Sequence, residues 1–106
     1  MKTDVRERDI EHYLVEQISK LGGKAYKFSS PNSRGVPDRL CILPNGFIFF
    51  VECKAPGRTV TPLQRLTIDK MRSMKVHVFI TDSKSSVDYL INVVSRVKRG
   101  VQEDAQ

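Results

Sequence analysis

Gly35-Val36-Pro37-Asp38 is followed, fourteen residues beyond its aspartate, by Glu52-Cys53-Lys54. Two carboxylates and an amine are groups that metal-assisted phosphate chemistry uses. Mg²⁺ takes one or two protein carboxylates, keeps several waters and leaves room for substrate phosphate. Such an ion lowers the pKa of a bound water and offsets charge on the phosphorus transition state. Lys54 beside the same phosphate would steady that charge or help position the attacking water. Singly, each motif has an ordinary use: Gly-x-Pro-Asp makes a turn and Glu-x-Lys a surface ion pair. Their meaning depends on the elements that carry them.

Residues 5–21 read as a helix. Asp4 and Glu7 are spaced as a capping box, Ile10, Leu14, Ile18 and Leu21 recur at helical spacing, and Gly22-Gly23 supplies the stop. Residues 24–28 alternate as a strand, and 29–36 form a loop rich in Ser, Pro, Asn and Gly. Residues 39–43 and 47–54 are apolar runs around Pro44-Asn45-Gly46, a hairpin pattern. The second run is apolar on both faces up to Glu52, which predicts a central strand. Thr61-Pro62-Leu63-Gln64 puts Thr at the N-cap, Pro at the first helical position and Gln at the third, opening a helix that runs to Met74. Residues 76–80 are a fourth strand. Ser85 or Ser86 would cap a last helix turning Val87, Leu90, Ile91 and Val94 to one face. The order αβββαβα predicts one α/β domain over residues 1–100, with a mixed four-stranded sheet flanked by helices. Residues 101–106 read as a disordered tail.

Alternation along the third strand puts Glu52 and Lys54 on one face and Cys53 on the other. Asp38 enters the hairpin partner of that strand, so Asp38 and Glu52 can converge. Burying Glu and Lys at the end of an apolar strand is costly unless they are paired or bind a metal. Gln64 fits the third position of a capping box, yet it shares a helical face with Leu63, Ile68 and Met71 and so points inward; both roles can hold. Glu11 lies at the edge of the first helix's apolar stripe, either as a boundary glutamate or as a third carboxylate over the metal. Glu7 is a weaker candidate, accounted for by the cap.

The chain has 106 residues and a net charge of +6. Between Lys20 and Lys75 there are eleven Lys or Arg residues and three acids, Asp38, Glu52 and Asp69, so two of the three belong to the opening motifs. Lys27, Ser29, Asn32, Arg34 and Arg39 crowd the approach to Asp38, with Ser33 among them, and Arg58, Arg65 and Arg72 follow Lys54. They suit phosphate contacts that position nucleic acid without reading its sequence. Few aromatics are interleaved with them, so base stacking is not a strong expectation. His12 and His77 have no ligand spacing, and a catalytic histidine is not expected. Cys41 and Cys53 lie in apolar strands and read as buried thiols in a reducing cytosol rather than a disulfide. No apolar run approaches the ~20 residues of a membrane span, and the N-terminus does not read as a secretory signal.

Gly35-Val36-Pro37-Asp38-Arg39, Phe50-Val51-Glu52-Cys53-Lys54-Ala55-Pro56-Gly57 and Gln64 together resemble the VRR-NUC domain, a compact branch of the PD-(D/E)XK nuclease superfamily. Glu11 with Leu14 is similar to the opening helix motif of that family, and the element order is similar to its restriction-endonuclease-like core. Cys53 departs slightly, at a position often held by a larger aliphatic residue. The resemblance spans about residues 4–95. It implies a Mg²⁺- or Mn²⁺-dependent endonuclease in which Asp38, Glu52 and the Cys53 backbone carbonyl bind metal and Lys54 is catalytic. Gln64, and less firmly Glu11, would complete the site. Short stand-alone members resemble phage proteins that act as dimeric resolvases of branched DNA such as four-way (Holliday) junctions.

The expectation is therefore a metal-dependent, structure-selective DNA endonuclease of phage replication or repair, a homodimer in the cytoplasm of a bacterial host. Two alternatives stand beside it. One is a non-catalytic nucleic-acid-binding module or partner-dependent nuclease subunit; the other is an RNA endonuclease.

Overall fold

The structure is a computed structural model and describes residues 5–97. Its elements are α1 (Glu7–Lys20), β1 (Lys24–Lys27), β2 (Arg39–Ile42), β3 (Ile48–Cys53), α2 (Pro62–Ser73), β4 (Val78–Thr81) and α3 (Lys84–Ser95). The predicted order is the observed one. The sheet runs β1-β2-β3-β4, antiparallel at its first two pairings and parallel between β3 and β4. A helical crossover is the usual way to bring a following strand back parallel, and α2 fills that role.

The two sheet faces take different helices. Cys41, Phe49, Val51 and Cys53 point to one face and pack with Ile10, Leu14 and Ile18 of α1 and Val87, Leu90 and Val94 of α3. Phe49 anchors this core against Phe47 at 5.5 Å and Phe79 at 5.6 Å. The other face carries Leu40, Phe50 and Glu52, and α2 lies over its β4 side with Ile68 buried.

Local chemistry sets the helix ends. Gly22, at φ +83°, lets the chain turn after α1: its N–H donates to the Ser19 carbonyl at 2.8 Å and that of Gly23 to Ile18 at 3.0 Å. The start of α1 differs from expectation. Glu7 is its first residue rather than its third, and the Asp9 carboxylate accepts the Arg6 N–H at 2.8 Å. Asp4 and residues 98–106, with the expected tail, lie outside the described residues. The capping box of α2 is as predicted, with Thr61 and Gln64 bonding reciprocally. That of α3 starts two residues early: Ser83 is the N-cap, and Ser86 is its reciprocal partner rather than the cap itself. Leu63 also departs, being exposed. Consecutive helical residues are separated by about 100°, and the inward face of α2 takes Gln64 and Ile68 instead.

On each open edge of the sheet an arginine occupies one outward carbonyl. Phe28 donates to the Asp38 carbonyl, so along β1 the Ala25 carbonyl falls in the phase that faces away from β2. Arg39 Nη1 donates to it at 3.2 Å. On β4 the His77 carbonyl accepts from Phe50, which turns the Val78 carbonyl outward, and Arg72 donates to it through Nη2 at 2.6 Å and Nε at 3.2 Å.

Candidate active site

The β2–β3 register pairs Arg39 with Val51, which sets Asp38 opposite Glu52 on the α2 face. The Asp38 N–H donates to Glu52 Oε1 at 3.2 Å. The other carboxylate oxygen receives Gln64 Nε2 at 3.2 Å and lies 3.5 Å from Lys54 Nζ. Glu52 is 2 % exposed and the Lys54 side chain 13 %. Gln64 therefore does two jobs: Oε1 caps α2 by accepting the Thr61 N–H at 2.9 Å, while Nε2 holds Glu52. Burial pushes the Glu52 carboxyl above its ordinary value, the Asp38 charge adds to the rise, and Lys54 opposes it without cancelling it.

Such a centre suits a divalent cation on this chain's own evidence. A buried carboxylate repelled by a neighbouring carboxylate is relieved by positive charge placed between them. The β2–β3 pairing ends at Arg39 opposite Val51, and Pro37, two residues before it, has no N–H to offer the end of β3.

The loop before Asp38 is fixed from α2. Thr67 Oγ1 donates to the Arg34 carbonyl at 3.1 Å, and Gly35 sits at φ +82° against the helix. A Cβ there would meet Thr67 Oγ1 at 2.8 Å and the Leu63 carbonyl at 2.9 Å. Pro37 is buried behind it.

The remaining candidates divide. Ser29, Asn32, Arg34 and Arg58 are exposed, Arg58 lining a cleft with Lys54; Arg65 is exposed too and lies 3.6 Å from Asp69. Arg39 points to the opposite face of the sheet from Asp38, where it and Lys27 meet Glu11 Oε2 at 2.9 and 2.8 Å. Burial would raise the Glu11 carboxyl, but the Lys27 hydrogen bond and the two cationic charges outweigh it and hold it below its ordinary value. Among the described residues no three His, Cys, Asp or Glu gather to hold a metal, so Glu11 is not assembled with Asp38 and Glu52. Cys41 and Cys53 are free buried thiols, pushed by desolvation to about 12 and about 11. The His77 ring packs at a tilt against Phe47, centroids 5.0 Å apart.

The comparisons with known proteins bear on this arrangement. No family model matches the chain. It is 51 % identical over 80 residues to "Putative nuclease p44" of Acyrthosiphon pisum secondary endosymbiont phage 1, an alignment spanning 76 % of this chain and 86 % of that protein. The fold superposes on a solved VRR-NUC domain with a TM-score of 0.78 and 35 % identity, over 83 % of this chain and 96 % of the other. The chain belongs to the VRR-NUC family of nucleases. It is of the phage type, and its mixed sheet flanked by helices is the VRR-NUC fold.

Within this VRR-NUC domain one acid that the sequence ranks as a weaker candidate, Glu7, is placed at a cleft. The cleft, of about 290 Å³, is also lined by Lys54, Arg58, Thr59 and Thr61, at the end of β3 where Glu52 and Lys54 sit. The first-turn position of Glu7 was explained by capping, which set it below Glu11. The available signal was its spacing of one helical turn from Glu11, which puts the two on one side of α1.

Proposed function

We propose that this VRR-NUC nuclease is a metal-dependent, structure-selective DNA endonuclease that acts as a homodimer on branched DNA such as four-way junctions. Asp38, Glu52 and the Cys53 carbonyl would hold Mg²⁺ or Mn²⁺. When bound, such an ion supplies a water of lowered pKa and neutralises charge at phosphorus. Everything else is work for the chain's own groups. Gln64 fixes the rotamer of Glu52. Lys54, kept beside the carboxylates by its ion pair, presents an ammonium to the phosphate oxygens and stabilises negative charge that grows as the phosphodiester is attacked. Arg34, Arg58 and Arg65 hold the flanking backbone by charge. Two copies related by a two-fold axis would place two such centres on one symmetric junction.

The observation that carries the reading is Glu52, a 2 % exposed carboxylate beside a second one, with Lys54 and Gln64 turned onto it. A module that only binds nucleic acid gains nothing from burying negative charge there. Cleavage of a labelled four-way junction with Mn²⁺ tests it. Asp38→Ala and Lys54→Ala should each slow cutting by roughly a hundredfold or more; undiminished cutting by either would falsify the site assignment. A matched RNA junction cut as fast as DNA would overturn the DNA preference, and light scattering that gives a monomer with and without junction would overturn the dimer.

A further inference from the structure

Tyr26 of β1 is an aromatic that the core does not use. It pairs with Leu40, and Leu40 with Phe50. Directly opposed residues share a face, and Leu40 and Phe50 are each two residues from Asp38 and Glu52. The Tyr26 ring therefore stands on the same sheet face as the two carboxylates. Between them Phe28 and Phe50 pack edge to face at 5.4 Å, but Tyr26 is 49 % exposed. A shallow cleft of about 260 Å³, lined by Lys24, Tyr26, Ile42 and Pro44 among others, opens beside it. Lys24 Nζ lies 5.8 Å from the ring centroid, and among the described residues Lys24 forms no ion pair.

Strand geometry gives the separation from the carboxylates. Phe28 is the β1 neighbour of Asp38, and Tyr26 is two residues further along. One strand spacing of ~4.8 Å and two residues of ~6.6 Å put the Tyr26 Cα about 8 Å from that of Asp38. Stacked nucleotides at ~3.4 Å would cover this in about two steps and a more extended unstacked strand in fewer, so the separation is roughly one or two nucleotides. An exposed ring with the ammonium of a long, flexible side chain over it matches a nucleotide, the base displacing the amine from the ring and the amine pairing with the phosphate. A base inside a continuous duplex has both faces covered by its neighbours, so only an unpaired or splayed base can use the ring.

We propose that Tyr26, with Lys24 over its ring, is a stacking platform for an unpaired nucleotide roughly one or two steps from the scissile phosphate, and that it makes the enzyme prefer open branches over continuous duplex. The inference rests on the nuclease reading above. Its probe is a splayed-arm DNA with 2-aminopurine in the unpaired arm next to the branch, bound in EDTA so that nothing is cut. Wild type and Tyr26→Phe should quench the fluorophore and Tyr26→Ala should not. Tyr26→Ala should also bind the splayed arm about tenfold more weakly while binding continuous duplex as wild type does. Equal quenching by all three proteins, no quenching by wild type, or equal loss on both DNAs would overturn the platform. Cutting with Mn²⁺ is scored separately. Wild type that quenches but never cuts tells against the nuclease reading alone; wild type that cuts while Tyr26→Ala still quenches tells against the platform alone.

Discussion

Burial raises the Glu52 carboxyl and the Asp38 charge raises it further, so the folded chain binds that proton more tightly than the unfolded one. The sign follows: stability contributed by this group is greatest at low pH and declines as pH rises past the ordinary value of 4.5 toward the raised folded one. Glu52→Gln removes the charge and keeps the shape. In EDTA near neutral pH its Tm should rise by a few degrees, since ~1 kcal/mol moves a domain of this size by about 4–8 °C, while cutting falls roughly a hundredfold or more. A melting curve and a cleavage rate on the same preparation check both; a lower Tm would contradict the account of Glu52 as a strained carboxylate. Glu11 has the opposite sign. Its folded pKa is depressed despite burial, so its stability is present above 4.5 and is lost as pH falls through the folded value. Glu11→Gln should cost about 1–2 kcal/mol near neutral pH and progressively less in acid, read as urea midpoints across pH. At this scale Asp38, Glu52, Lys54 and Gln64 were legible, because strand alternation and a helix cap fix where each points. The commitment of Glu11 to Lys27 and Arg39 was not, since it joins residues 16 and 28 positions apart across two elements.

Among the elements, the loop from β1 to β2 depends most on a single atom's absence. Gly35 has a positive φ and no room for a Cβ against Thr67 and Leu63. Gly35→Ala should cost about 1–3 kcal/mol and lower cutting by more than its stability loss explains, because Asp38 rides on this loop; denaturation and cleavage at a temperature where the variant is fully folded separate the two effects. Thr67→Val, which removes the hydroxyl that bonds the Arg34 carbonyl and keeps the branched shape, should give a milder form of both. The element order was read from periodicity and turn chemistry, and the start of α2 was read to the residue because Thr61, Pro62 and Gln64 each have one obvious place. The start of α3 was less determinate: Ser83, Ser85 and Ser86 all offer a hydroxyl, and only the reciprocal Ser83–Ser86 bonding decides among them. Tyr26 was missed for a related reason. Alternation gives its face, but its exposure depends on how far α2 reaches across the sheet.

On the scale of the whole molecule, a ligand that binds only the folded state stabilises all of it. Saturating Mn²⁺, at about 100 times its Kd, should add about 2.7 kcal/mol, visible as a rise in Tm that Asp38→Ala abolishes. The arginines at the two sheet edges have a consequence for how copies can meet. An unpaired strand edge lets subunits join head to tail without limit, and such growth ends in fibres rather than in a counted assembly. The Ala25 and Val78 carbonyls, one on each edge, are already occupied by guanidinium groups. A strand added along either edge that needed one of these carbonyls would have to displace a guanidinium, so joining copies there would give up a bond each fold already makes.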